Sequence, residues 1–222
     1  MIALDMMREF ESIRRLDYRV PAAEADPRLS FDYLFPPGHG NMFGVLECED
    51  SRGGRVVLRA FSSLRDGIRQ VDGWVLPLLS LEVYEGVILP AQAEIKRHTA
   101  DLEGLEADSS AYARIVDIRR RISHELWQQM CEAYRFRNFR GEERTLAEAV
   151  LPGTPITGGI GECCAPKLLQ HAAVEGLRPL SLSEFYWAEG PPKGGRISGA
   201  FYSSCAARCH PILGFMLCGL KR

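Results

Sequence analysis

Four of the seven cysteines fall in two pairs, and each pair stands at the head of a helix-like run. Cys163 and Cys164 follow the glycine turn Gly158-Gly159-Ile160-Gly161 and open CCAPKLLQHAAVEG, with Pro166 suited to a first turn and Gly176 to a C-terminal cap. Cys205 and Cys209 open CAARCHPILGFMLCGL, behind Ser203 and Ser204 that can cap it. Residues four apart on a helix share a face, so Cys205 and Cys209 can grip one ion. Helix starts carry unpaired N–H groups and the positive end of the dipole, which favour thiolate. If the two helix starts face each other, Cys163, Cys205 and Cys209 converge. Three protein ligands with a fourth position open is the arrangement of hydrolytic zinc, so the expected cofactor is Zn. Cys164 is the alternative first ligand, because one residue along a helix turns the side chain by about 100°. His210 and His171 are reserve ligands. Cys48, Cys131 and Cys218 lie in apolar settings and read as core. A redox reading, with a vicinal Cys163–Cys164 disulfide or a reactive Cys205, remains beside the metal one.

An odd number of cysteines argues against a disulfide framework. No apolar run approaches the roughly 18 residues of a membrane span. The N-terminal MIALDMMREFESIRRLDYRV carries acids early and lacks an apolar signal core, so the expectation is a cytoplasmic protein that contacts no membrane. The formal net charge of -2 argues against a surface coated with phosphate-binding charge, though it leaves room for a local basic patch.

The 222 residues suffice for one sizeable core. A first helix is expected over 3–16. MFGVLECED (42–50) and RVVLRAFSS (55–63), joined by SRGG, read as a β-hairpin. GWVLPLLS is a strand or a buried loop. Ile115, Ile118, Ile122, Leu126 and Met130 recur at helical spacing, and GLEADSS (104–110) splits that region into two antiparallel helices. The pair reads as a packing hairpin or a homodimer arm, with a basic RNA-binding face at Arg114 to Arg121 as the alternative. RPLSLSEFYWAEG is a strand, PPKGGRIS a surface loop and GAFYSS a short strand. Residues 1–90 then supply a helix and hairpin to the core, 91–137 an inserted helical hairpin, and 138–222 the cysteine motifs that complete the same core. The fold class is α/β (α+β), a small mixed sheet with flanking helices.

The pattern Gly159, Gly161, Cys163, Ala165, Pro166, Lys167, Leu168, Leu169, then Arg178, Pro179, Leu180, Glu184, Phe185, Trp187, then Phe201, Tyr202, Cys205, Cys209, Pro211, Ile212, Leu213 resembles a known module. That module precedes the catalytic domain in one group of RluA-type RNA pseudouridine synthases, and the resemblance spans most of residues 28 to 220. Arg14-Arg15-Leu16-Asp17 is the string most like the synthase motif and does not complete it, so uridine isomerisation is not expected of this chain. More distantly, the two ligand helices and the order helix, hairpin, ligand helix, strand, two-cysteine helix are similar to zinc-dependent nucleobase deaminases of the bacterial toxin type. That resemblance implies a cytidine-deaminase-like core, Cys163, Cys205 and Cys209 as ligands, and a glutamate that shuttles protons. The glutamate's usual place is held by Ala165, which leaves Glu162 or Glu184 as candidates. Lys167 is a candidate to meet a phosphate or orient the carboxylate, and Tyr202, Phe185 and Trp187 to stack a base. The expected substrate is RNA or a nucleotide. A non-catalytic accessory module with structural zinc, closed by Cys164 or His210, is the alternative.

Overall fold

The computed structural model describes residues 2–156, 158–191 and 194–220. In chain order the elements are α1 (Ile2–Ile13), α2 (Phe31–Leu34), β1 (Gly40–Glu49), β2 (Arg55–Phe61), α3 (Leu81–Val83), α4 (Leu89–Ala100), α5 (Ser110–Ala133), β3 (Arg135–Arg137), β4 (Glu143–Thr145), α6 (Leu146–Ala149), α7 (Cys164–Val174), β5 (Arg178–Ala188) and α8 (His210–Met216). They divide into two compact units, one of Met1–Leu78, Phe136–Glu143 and Ala149–Arg222, the other of Leu79–Arg135 and Arg144–Glu148. The fold is mixed α/β, with a small sheet and flanking helices.

The first unit is built on the sheet β2-β1-β5. A mixed sheet was the expectation, yet both of its ladders are antiparallel. The β1–β2 hairpin closes where expected, because Asp50 Oδ1 accepts from the N–H groups of Arg52 at 2.8 Å and Gly54 at 2.7 Å, and Gly53 takes φ 80. Alternation along the strands separates two faces. Phe43, Val45, Phe185 and Trp187 point to one face, where they join Met6, Met7 and Phe10 of α1, Phe31, and Trp74 in the main core cluster. Phe10 sits at its centre, with ring centroids 5.0 Å from Phe31, 4.8 Å from Phe43 and 5.4 Å from Trp187, all edge-on. The other face of the sheet carries α7, against β1, β2 and β5.

Three local differences from the sequence reading have identifiable causes. Helix α1 stops at Ile13 because Arg14 turns to φ 55, and Arg15 then bridges to Ser30. GWVLPLLS forms no strand and holds to β2 by a single bond, Val75 N–H to the Arg59 carbonyl at 2.8 Å. GAFYSS forms only an isolated bridge, Phe201 to Phe185, although Tyr202 N–H reaches the Glu184 carbonyl at 3.0 Å.

In the second unit the helical stretch begins at Leu81, because Ser80 caps it by accepting from Val83 N–H at 3.3 Å. It widens to a π-turn over Tyr84–Ile88 ahead of Pro90, whose ring nitrogen cannot donate. Helices α4 and α5 pack together, and Ser109 caps α5 by accepting from Tyr112 N–H at 3.2 Å.

Because Phe10 touches aromatic rings from α2, β1 and β5, Phe10→Ala should cost roughly 3–5 kcal/mol. Urea unfolding followed by tryptophan fluorescence checks this. A change below 1 kcal/mol would mean the cluster closes over the gap.

Candidate metal centre

Helix α7 begins on the sheet, and a glycine makes that possible. Gly44 of β1 pairs directly with Glu184 of β5. A Cβ on Gly44 would lie 2.6 Å from the Cys164 Cβ and 3.0 Å from Leu168 Cδ1. Without a side chain there, the N-terminus of α7 rests on the backbone of β1. Cys164 is fully buried and donates its thiol proton to the Met42 carbonyl at 3.3 Å. Burial, with the Glu184 charge adding to it, pushes the Cys164 thiol well above its ordinary pKa. Its thiol is bonded to the sheet and stands outside the group formed by Cys163, Cys205 and Cys209.

Cys163 is the N-cap of α7 and faces Cys205 and Cys209. The sequence reading placed Cys205 and Cys209 on one helix; instead α8 starts at His210, with Pro211 in its first turn. Cys205 to Cys209 form the single turn that leads into it. Cys209 N–H bonds the Cys205 carbonyl at 3.0 Å, and Arg208 N–H points at Cys205 Sγ at 3.2 Å. That turn keeps the two thiols on one side, as a helix would have done. The sulfur atoms of Cys163, Cys205 and Cys209 all lie within 4.8 Å of one another. Tetrahedral zinc with bonds of ~2.3 Å sets sulfurs about 3.8 Å apart, so the donor set fits a thiophilic metal after a small adjustment. Bonding to Cys209, with Cys205 acting in the same sense, holds the Cys163 thiol down to about 7. The same bond, with burial, pushes Cys209 up.

The group opens into a cavity of about 580 Å³, lined among others by Glu184, Arg196, Tyr202, Ser204, Arg208 and His210. Among the described residues, the ligand atoms within that mutual distance are the three thiols alone. His210 is an exposed cavity-wall residue, and His171 lies in the last turn of α7. Cys48 and Cys131 are buried, as expected, whereas Cys218 is only half-buried.

The two candidate glutamates separate clearly. Glu184 is 5% exposed and lines the cavity. Its Oε1 accepts from Ala165 N–H at 3.1 Å and its Oε2 from the Ser204 hydroxyl at 2.6 Å. The carboxylate from β5 is thus bonded to the backbone of the very residue where the deaminase resemblance puts a glutamate. Ser204 holds that carboxylate instead of capping a helix, a role that the sequence did not signal. Glu162 has a different setting. Its Oε1 takes Arg69 Nη2 at 2.9 Å, and its Oε2 lies 3.8 Å from Lys167 Nζ. It lies outside the cavity lining. Lys167 is 4% exposed and donates to the Phe61 carbonyl at 3.1 Å, and burial lowers its pKa. Lys167 and Glu162 therefore fasten the Cys163 loop to the end of β2 rather than face a substrate.

Of the proposed aromatic contacts, Tyr202 lines the cavity, its hydroxyl accepting from Ile197 N–H at 2.9 Å. Phe185 and Trp187 belong to the main core on the opposite face of the sheet. Residues alternate along a strand, so Glu184 and Tyr186 face α7 whereas Phe185 and Trp187 cannot.

Comparison of the chain with protein-family models, with curated proteins and with solved structures gave no match.

Two outcomes follow from this geometry. In chelator-treated protein, Cys163 should react with iodoacetamide along a curve centred near pH 7, falling as pH drops below it, because only the thiolate attacks. Mass mapping of the labelled peptide reads this, and a midpoint near 9 would contradict it. Glu162→Gln should destabilise by roughly 3 kcal/mol, since it removes the carboxylate charge that two buried cations share, and Glu162→Gln with Lys167→Met should recover part of the loss. Urea midpoints of the single and double variants measure both.

Proposed function

We propose that this chain is a zinc-dependent hydrolase of deaminase type that removes an amino group from a nucleobase in RNA or a nucleotide. The observation that carries the reading is the placement of Glu184. A buried carboxylate shares one cavity with three convergent thiols and takes its N–H bond from the backbone of Ala165. When bound by Cys163, Cys205 and Cys209, zinc lowers the pKa of a water and so supplies the nucleophile. Glu184 would accept a proton from the attacking water as the water oxygen bonds to the ring carbon bearing the amine, and would pass that proton to the adjacent ring nitrogen. The same carboxylate would then take the remaining hydroxyl proton and give it to the departing nitrogen, so that the C–N bond breaks, ammonia leaves, and the ring keeps a carbonyl beside a protonated ring nitrogen. Ala165 N–H and the Ser204 hydroxyl fix the two carboxylate oxygens and leave each a free lone pair for this traffic. The base is held near Tyr202. The resemblance to the synthase-associated module supports RNA or a nucleotide as the carrier of that base.

A non-catalytic accessory module with structural zinc is the second reading. The same two hydrogen bonds favour it, because they tie β5, α7 and the Ser204 turn together whether or not a proton moves.

Elemental analysis should find one zinc per chain in the wild type and little in Cys205→Ala; a metal-free wild type would sink both readings. Glu184→Gln should keep its zinc and lose deamination of cytosine- and adenine-bearing nucleosides, nucleotides and RNA by about 10²–10⁴-fold. Zinc without any turnover in the wild type would leave the accessory reading standing.

A further inference from the structure

The floor and the rim of the metal cavity carry opposite charge. Glu184 lies at the floor with the three thiols, and among the described lining residues it is the only acid. At the rim stand Arg196, Arg208 and His210, all exposed. Arg196 is positioned without a carboxylate. Its guanidinium lies 5.5 Å from the Tyr186 ring centroid and 5.8 Å from that of Tyr202. Stacking on two rings orients the planar group and leaves its N–H fork available. Tyr202 is itself fixed by the bond from Ile197 N–H at 2.9 Å, so the loop bearing Arg196 and the aromatic surface beneath it are tied to each other. Arg208 comes from the Cys205–Cys209 turn and lies across the glycine turn; a Cβ on Gly159 would meet its Cζ at 3.4 Å. Among the described residues, neither guanidinium forms an ion pair with a carboxylate, unlike Arg14, Arg15, Arg59 and Arg69 of the same unit.

Two guanidinium groups without a carboxylate partner at one mouth are free to meet an anionic ligand. Three thiolates with one divalent ion sum to a single negative charge, and Glu184 adds another. An anionic ligand would be repelled from such a floor unless the rim compensated. Two guanidinium forks that line one cavity match the non-bridging oxygens of a phosphate ester.

We propose that Arg196 and Arg208 form a phosphate clamp, so that the substrate reaching the metal cavity carries a phosphate ester beside the base held near Tyr202. This rests on the reading of the cavity as the reaction site. The phosphate belongs either to a free nucleotide or to an RNA strand, and the two sources separate by measurement.

Isothermal titration of the full chain compares cytidine and adenosine with their 5′-monophosphates. Fluorescence anisotropy at the same salt follows a labelled ten-nucleotide single-stranded RNA. The wild type should bind at least one phosphate-bearing probe tenfold more tightly than the parent nucleosides. Monophosphate binding points to a free nucleotide and binding of RNA alone to a strand, and either result supports the clamp. Arg196→Ala with Arg208→Ala should remove that preference while nucleoside binding stays; Arg196→Gln alone should remove most of it, and Arg52→Ala on the hairpin turn should change nothing. The clamp is overturned if the wild type shows no phosphate preference, if the double variant keeps it, or if Arg52→Ala weakens binding as much. Zinc content is measured on the same samples. A chain that discriminates phosphate but holds no zinc argues against the metal reading alone, and a zinc-loaded chain without discrimination argues against the clamp alone.

Discussion

The site depends on how closely the N-terminus of α7 approaches the sheet. That approach is set by Gly44, which offers no Cβ to Cys164 or Leu168. From it follow three placements. Cys163 reaches the cavity as the N-cap, Cys164 is buried against the Met42 carbonyl, and Ala165 N–H meets the carboxylate of Glu184. A helix start offers N–H groups that need acceptors, and a buried carboxylate needs donors. Each satisfies the other here, which is why a charged residue tolerates a position in β5 that is almost sealed from water.

A second set of buried charges works at the opposite side of the same loop. Glu162, Lys167 and Arg69 surround the chain just before Cys163. Such groups are expensive to bury and stay charged only with partners. Their effect is positional: they hold the glycine turn at the end of β2, so that Cys163 leaves it at a fixed angle. The two halves of the site therefore carry separate carboxylates, one anchoring a ligand loop and one facing the cavity.

Much of this was legible in the residues. The β-hairpin, α7, β5 and the grouping of Cys163, Cys205 and Cys209 were readable from turn chemistry, periodicity and cysteine spacing. What was not legible depended on tertiary contacts. Spacing cannot tell a helix from a single hydrogen-bonded turn at Cys205 to Cys209, because both put thiols four apart on one side. Nor could it choose between Glu162 and Glu184, since that choice rests on Arg69 and Ser204, both remote in sequence from the glutamate each contacts. Alternation along β5 was available, however. Once Glu184 faces α7, Phe185 and Trp187 must face the other way, into the aromatic core.

The helical unit interrupts the chain between β2 and α7, and this placement has a consequence for how the chain can vary in length. The β1–β2 hairpin must wait for β5, which arrives only after the whole inserted segment has been passed. The entropy of closing such a loop grows with the logarithm of its length, at about 0.6 kcal/mol for each doubling. A segment of that size between β2 and α7 is thus far less costly than one breaking the glycine turn or the Cys205–Cys209 turn would be. Length changes are thermodynamically cheap in the exposed connection between α4 and α5, residues 101–109, and dear within a few residues of the thiols.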